Sequence, residues 1–211
     1  MSRRIRSDQL SPSASTVKLV GQSERPSARF IESPRLSPAQ VYGILTSIIE
    51  VKYPCGMDLT VTRVLPAKAA EAWRSWTDDA VVRRWWGPTG FTCTLADLDV
   101  TVGGTSLVCM SAPDLGFPAL YSTWRYTVVE EPTRLEFVHN IADASGTTID
   151  PASIGAARIP RDVRHVITFE PLDGEHTRMA VTEFGYSSHE QLALSQQGLE
   201  ESLDKLVELY R

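Results

Sequence analysis

Hydrophobic and polar residues alternate from Met57 onward, with the period of a half-buried β-strand. One face of this first strand carries Leu59, Val61, Arg63 and Leu65. Pro66 then opens a helical pattern with apolar residues at Ala69, Ala70, Trp73 and Trp76. Thr77-Asp78 caps a second short helix that runs through Val81, Val82, Trp85 and Trp86. The periodic part of the chain is therefore predicted to start with a strand and two short helices.

Six more segments have strand character and are separated by turn residues. They cover approximately residues 91–101, 105–111, 119–130, 134–142, 162–171 and 176–185. Residues 143–161 form a long loop, and a helix capped by Ser187 or Ser188 follows over approximately 187–210. The order predicts an α+β fold in which a curved antiparallel sheet wraps around one long C-terminal helix.

A sheet wrapped around a helix leaves a space that suits a small ligand. The side chains that we expect to line this space are Trp85, Trp86, Phe91, Met110, Trp124, Tyr126, Phe137, His139, Ile167, Leu199 and Leu203. The same aromatic residues can instead fill the space as ordinary core. Gly198 in the last helix predicts a close approach to the helix backbone, either by the sheet or by a ligand. The loop 143–161 is long enough to cover one end of the space.

The first part of the chain has a different character. Residues 1–36 are rich in Ser, Arg and Pro and are predicted to be disordered. Residues 37–56 predict a short amphipathic helix and a linker, and residues 57–211 predict the main domain. Residues 1–56 are equally consistent with an upstream extension from a misplaced start at Met1. An Arg/Ser-rich transit peptide is a third interpretation, against which Asp8 and Glu24 count.

Composition and charge limit the classes of protein and partner that need to be considered. The hydrophobic content of 42% and charged content of 22% are typical of globular proteins, and we find neither a membrane-span pattern nor a signal peptide. Three cysteines without a CxxC pair favour a cytoplasmic location. Residues 57–211 hold 13 basic and 22 acidic residues, a balance of −9 that argues against nucleic acid as a partner.

The candidate chemistry lies on two adjacent strands. If their hairpin centres on Gly174, His165 lies opposite Glu183, and both point into the space. His139 on an earlier strand is expected nearby. A His–Glu pair in an apolar pocket can act in general acid–base catalysis, or it can be a satisfied polar pair at the rim. A metal site formed by these three residues has no supporting ligand motif, so we predict neither metal nor cofactor.

Several motifs together resemble a known family. They are Trp73 to Asp78, Arg84 to Phe91 (Arg-Trp-Trp-Gly-Pro-Thr-Gly-Phe), Val102-Gly103-Gly104, Glu131 to Leu135, Thr168-Phe169-Glu170 and Gly198 to Leu206. Their order and spacing resemble the SRPBCC (START-like) superfamily. Within it, they are similar to the family named after the C-terminal domain of the activator of the heat-shock protein 90 ATPase. The resemblance covers residues 57–210, almost the whole predicted domain.

The resemblance implies a helix-grip fold with a deep hydrophobic pocket. Relatives in this superfamily bind lipids or hormones, or act as polyketide cyclases and aromatases. We therefore expect this protein to bind a small hydrophobic molecule. The alternatives are a cyclase- or dehydratase-type enzyme that uses His165 and Glu183, and an interaction module that modulates a chaperone ATPase. A homodimer is the default oligomeric expectation.

Overall fold

The computed structural model describes residues 56–211, which form one seven-stranded sheet, three α-helices and two short 3₁₀ turns. The elements are β1 (Met57–Leu65), α1 (Ala69–Thr77), α2 (Asp79–Trp85), β2 (Thr92–Asp97), β3 (Thr105–Ala112), β4 (Phe117–Glu130), β5 (Arg134–Ala142), β6 (Val163–Pro171), β7 (Thr177–Tyr186) and α3 (His189–Glu208). The order of strands and helices is the predicted one. The predictions for residues 1–55 lie outside the described residues.

The sheet is entirely antiparallel, with the order β1-β7-β6-β5-β4-β3-β2. Five of its neighbouring pairs are consecutive strands, and the exception is β1, which pairs with β7 at the far end. The inner face of β1 carries the predicted Leu59, Val61, Arg63 and Leu65, all buried. The predicted α+β helix-grip fold is therefore confirmed.

Two boundaries differ from the sequence-based predictions by three or more residues. Helix α1 starts at Ala69 rather than at Pro66, because the Glu71 carboxylate accepts the backbone N–H of Lys68 at 3.1 Å and fixes the first turn there. Strand β2 ends at Asp97, four residues earlier than predicted. Asp78 caps α2 as expected, since its Oδ1 accepts from the N–H groups of Ala80 and Val81. Of the two candidate caps of α3, Ser188 is the one used.

Helix α3 packs on the sheet through its apolar stripe, which consists of Leu192, Leu199, Leu203, Leu206 and Val207. A polar contact fixes its position along β1. The Arg63 side chain is buried on the sheet, and its Nε donates to Asp204 Oδ1 at 2.9 Å. Because Asp204 is exposed, the pair spans the edge between the sheet and the helix.

The loop between β5 and β6 is ordered by local turns. It contains a 3₁₀ turn over Pro151–Ile154, and Ala142 forms an isolated bridge with Thr148. Arg158 Nη1 lies 3.2 Å from Glu190 Oε1 in the first turn of α3, although both side chains are exposed. The loop therefore reaches the start of α3. Its role as a cover for a ligand stays a prediction.

Candidate functional site

The centre of the concave face is a cluster of aromatic rings. Trp124 on β4 stacks on Phe137 of β5 with ring centroids 4.9 Å apart, and Phe137 stacks on His165 of β6 at 4.8 Å. Trp86 meets Trp124 edge-on at 4.8 Å, so the end of α2 closes over the same cluster. Alternation along three adjacent strands brings these rings to one face of the sheet. We call these four rings, of Trp86, Trp124, Phe137 and His165, the aromatic wall.

His165 and Glu183 are cross-strand partners on this wall, as the hairpin register predicts. His165 Nε2 lies 2.8 Å from Glu183 Oε1, and both side chains are buried. The other ring nitrogen, Nδ1, lies 3.1 Å from the Val163 carbonyl oxygen. A carbonyl oxygen can only accept, so Nδ1 is the donor in that contact, and Nε2 faces the carboxylate. Both nitrogens of His165 are therefore already bonded.

The second carboxylate oxygen of Glu183 is bonded as well. Ser195 Oγ on α3 donates to Oε2 at 2.6 Å, and the Tyr186 hydroxyl donates to the same oxygen. Burial by itself would raise the pKa of Glu183. The charge of His165 and the three hydrogen bonds outweigh that effect, so the pKa of Glu183 is held below its usual range. Burial beside this carboxylate raises the pKa of Tyr186.

Tyr186 and Ser195 were not predicted as members of this network. A signal for Ser195 was present, because it lies four residues before Leu199 and therefore on the same face of the helix. Tyr186 follows the predicted end of the last strand, and the observed strand extends to include it. The network links β6, β7 and α3 through one buried carboxylate. It is fully bonded, and this favours a structural role for the pair.

His139 differs from His165 in its environment. It pairs with Trp124 across β4 and β5, and its ring centroid lies 5.6 Å from that of His165. The side chain is partly exposed. Burial, together with the charge of His165, lowers the pKa of His139. His139 is therefore a neutral imidazole at neutral pH, on the same face as the aromatic wall.

Three buried polar atoms on or beside the wall find no hydrogen-bond partner among residues 56–211: Trp86 Nε1, Trp124 Nε1 and Ser122 Oγ. Ser122 precedes Trp124 by two positions on β4 and so shares its face. Both tryptophans were predicted to line the site, whereas Ser122 was not, although the same alternation places it inward. Buried donors without acceptors are rare in folded proteins.

Helix α3 has open space beside its backbone at Gly198. Gly198 lies on the helix face between Ser195 and Ser202, and a Cβ atom built on it would have no neighbour within 4 Å. Ser195 bonds to Glu183 on the sheet, and Ser202 is buried. The sheet therefore does not approach Gly198 closely, and that part of the prediction is wrong. The glycine instead borders open space on a partly buried helix face.

The Gly-Pro-Thr-Gly loop between α2 and β2 is fastened to α3. Lys205 Nζ donates to the carbonyl oxygens of Gly87 and Phe91 at 2.8 and 3.2 Å. Glu201 Oε2 accepts the backbone N–H of Thr89 at 2.9 Å. Gly87 has a φ of 108°, a conformation that favours glycine, and an added Cβ there would meet Phe91 and Met110 at 3.1 and 3.2 Å.

The remaining residues that we predicted to line the space fall into two groups. Buried in the core are Trp85, Tyr126, Ile167, Leu199 and Leu203. Trp85 donates its indole N–H to Ser75 O at 2.8 Å, and the Tyr126 hydroxyl bonds to Ser106 Oγ at 2.9 Å. Phe91 and Met110 are partly buried, and Phe91 lies 5.9 Å from Phe117. These two therefore sit at the edge of the wall.

Among residues 56–211, no group of three or more His, Cys, Asp or Glu side chains is arranged to hold a metal ion. Over the same residues, no helix has the length and apolar character needed to span a membrane. A depression of about 190 Å³ lies on the outer surface, where α1, α2 and the chain end meet. Its lining is Glu71, Arg74, Val81, Arg84, Leu209 and Tyr210. This depression is separate from the aromatic wall.

Comparison with known proteins agrees with the fold. Residues 66–211 match the model of a family described as Activator of Hsp90 ATPase homolog 1-like protein. The chain belongs to this family, as its sequence motifs indicated. No protein of curated function matches the chain significantly.

Similar solved structures come from bacteria. Protein Ms6760 from Mycobacterium smegmatis is 25% identical with a TM-score of 0.59, and the match covers 73% of this chain and 90% of that one. A protein from Arthrobacter aurescens is also 25% identical with a TM-score of 0.59, covering 71% and 83%. The AHSA1 protein from Silicibacter pomeroyi is 20% identical with a TM-score of 0.58, covering 72% and 95%, and shows the shared fold alone.

Proposed function

We propose that this protein binds a small hydrophobic molecule between the aromatic wall of the sheet and helix α3. The observation that carries the proposal is the open space beside Gly198, on a helix face whose neighbouring residues contact the sheet. The rings of Trp86, Trp124 and Phe137 form an apolar cluster on the sheet face that the ligand would contact. Aromatic walls of this kind dominate the lining of small-molecule sites. Membership in a family with this fold supports the same function.

The test is to fill that space from the helix side. Gly198→Leu adds a side chain where a Cβ meets no atom, so the helix is expected to remain folded. The variant should bind the uncharged fluorescent probe N-phenyl-1-naphthylamine about tenfold more weakly than the wild type, because the probe and the new side chain compete for one space. Fluorescence titration of the full chain measures this directly.

Two variants serve as controls. Gly198→Ala adds a single methyl group and should bind the probe like the wild type. Gln197→Leu places the same leucine at the adjacent exposed position and should also leave binding unchanged. Wild-type affinity in Gly198→Leu, or a failure of the wild type to bind the probe at all, would contradict the proposed site.

A second candidate is an enzyme of the cyclase or dehydratase type. The observation that favours it is the buried His165–Glu183 pair, with 2.8 Å between Nε2 and Oε1. In this candidate, changing both residues to Gln abolishes turnover, whereas in a binding protein the double variant only modulates affinity. The full bonding of the pair favours the binding function. Modulation of a chaperone ATPase, a third candidate, is supported by the family description alone, and a stable chaperone complex in a pull-down would favour it.

A further inference from the structure

The three residues that carry the unpaired polar atoms of the site lie close together. Trp86 and Trp124 are in edge-on contact, 4.8 Å between ring centroids at 77°, and Ser122 lies two residues before Trp124. Their exposed fractions are 8%, 0% and 1%. An unsatisfied buried donor costs roughly 1–3 kcal/mol. Three such groups at one place therefore indicate that a partner with hydrogen-bond acceptors belongs there.

The neighbouring tryptophans show that the lack of hydrogen-bond acceptors for buried indole N–H groups is confined to the wall. Trp76 touches both Trp85 and Trp86, yet its Nε1 donates to Met179 Sδ at 3.2 Å. Trp85 Nε1 donates to Ser75 O at 2.8 Å. Inside the helix–sheet core, indole N–H groups are thus satisfied by protein atoms. Among residues 56–211, the two indoles in contact at the wall are the ones whose N–H is fully buried without an acceptor.

An indole N–H can donate but cannot accept, so its missing partner must be an acceptor. We infer that the bound molecule carries a neutral carbonyl oxygen, which accepts hydrogen bonds from the indoles of Trp86 and Trp124. Ser122 Oγ and the neutral His139 lie on the same sheet face and complete a polar end for the site. The apolar remainder of the molecule lies against Phe137 and toward Gly198. This inference rests on the proposed binding function.

A carboxylate fits this place less well than a ketone. Three charged side chains of the sheet and of helix α3 are already engaged: Glu183 with His165, Arg63 with Asp204, and Lys205 with two backbone carbonyls. A carboxylate would therefore be buried without a counter-charge, at a much higher cost than a neutral carbonyl. The ligand class that we assign is an apolar ketone or an equivalent uncharged carbonyl compound.

The test compares ketones with matched alkenes that lack the oxygen. Suitable pairs of increasing size are cyclohexanone with methylenecyclohexane, 1-indanone with 1-methyleneindane, and 2-acetylnaphthalene with 2-isopropenylnaphthalene. Each probe is added to the full-length ¹⁵N-labelled protein while the indole N–H resonances are followed by NMR. We expect the resonances of Trp86 and Trp124 to move downfield with a ketone and not with its alkene. Those of Trp76 and Trp85 are internal controls, since their N–H groups already have acceptors.

The affinities give a second, independent readout. The best-fitting ketone should bind roughly three- to tenfold more tightly than its alkene, the range that one net hydrogen bond supplies. Trp124→Phe and Trp86→Phe should each reduce this preference. Trp73→Phe removes an indole that packs on Phe169 away from the wall and should leave the preference intact. The wild-type resonances remain informative even if one of these variants fails to fold.

The two proposals fail in different ways. Equal affinities for ketone and alkene, with no selective movement of the Trp86 and Trp124 resonances, would overturn the carbonyl assignment and leave the binding function standing. If none of the six probes binds, the binding function itself is contradicted, and the assignment falls with it.

Discussion

Among the polar residues of the site, His165 and His139 differ in hydrogen bonding and in exposure. Both nitrogens of His165 are bonded, and its partner Glu183 receives three hydrogen bonds in total. His139 keeps part of its surface exposed and stays neutral because its pKa is lowered. A group whose hydrogen bonds are complete has no free donor or acceptor for a ligand. His139 is therefore the histidine that we expect to contact bound molecules, and His165 is the one that holds the sheet and helix together.

Removal of the Glu183 charge tests this division. Glu183→Gln should lower the free energy of unfolding at pH 7 by about 3 kcal/mol, because it leaves His165 without its buried counter-charge. His165→Gln/Glu183→Gln should lose less than the two single variants added together, since the pair acts as a unit. Urea unfolding of the four proteins measures the coupling. Strict additivity would contradict the structural role.

The same carboxylate predicts a pH dependence. The pKa of Glu183 is lower in the folded protein than its ordinary value of 4.5, so its contribution to stability is complete above that value. The contribution is lost as the pH falls from 4.5 toward the folded-state pKa. The stability difference between the wild type and Glu183→Gln should therefore shrink below pH 4.5. A difference that stays constant into acid would contradict the lowered pKa.

The residue scale is also where sequence-based prediction succeeded and failed most clearly. The pairing of His165 with Glu183 follows from one tight hairpin, so counting from Gly174 was sufficient. Tyr186 and Ser195 join the same carboxylate from a strand end and from the helix. Their contact depends on how α3 docks on the sheet, and a linear pattern contains no such information.

At the scale of elements, α3 carries three distinct connections on different parts of its surface. Ser195 binds the buried carboxylate of β7, Asp204 pairs with Arg63 of β1, and Lys205 holds the loop between α2 and β2. The sequence predicted the helix and its apolar stripe from the spacing of leucines. It did not predict the Lys205 contact, because a lysine in an amphipathic helix is usually solvated.

Lys205 should control the mobility of the loop around Gly87 and Phe91. Lys205→Met keeps the apolar stem and removes the donor, so both carbonyl oxygens lose their partner. We expect amide exchange at Thr89 and Phe91 to become about tenfold faster. Hydrogen-exchange NMR at pH 7 measures these two exchange rates.

Lys68→Met is the matched control for this experiment. Lys68 is exposed and only 3.6 Å from the exposed Glu175, so its loss should leave the loop amides unchanged. Unchanged exchange in Lys205→Met would mean that the loop is held by the Thr89–Glu201 hydrogen bond and by the packing of Phe91 instead.

At the scale of the whole molecule, the chain combines the fold of its family with a local cluster of tryptophan side chains. Trp76, Trp85 and Trp124 are completely buried around one point where the two short helices meet the sheet. The fold could be predicted because strand alternation and the order of elements determine it. The wall was predicted only in part, since which indole N–H groups find acceptors depends on tertiary packing. The homodimer, the cytoplasmic location and the avoidance of nucleic acid stay predictions.

The central claim is that the space between the wall and α3 holds a small apolar molecule. Native mass spectrometry of the full chain, purified from its own host, tests it most directly. We predict that the wild type retains a small uncharged molecule and that Gly198→Leu, prepared in the same way, retains none. A wild type that carries no small molecule and also fails to bind N-phenyl-1-naphthylamine would contradict the account.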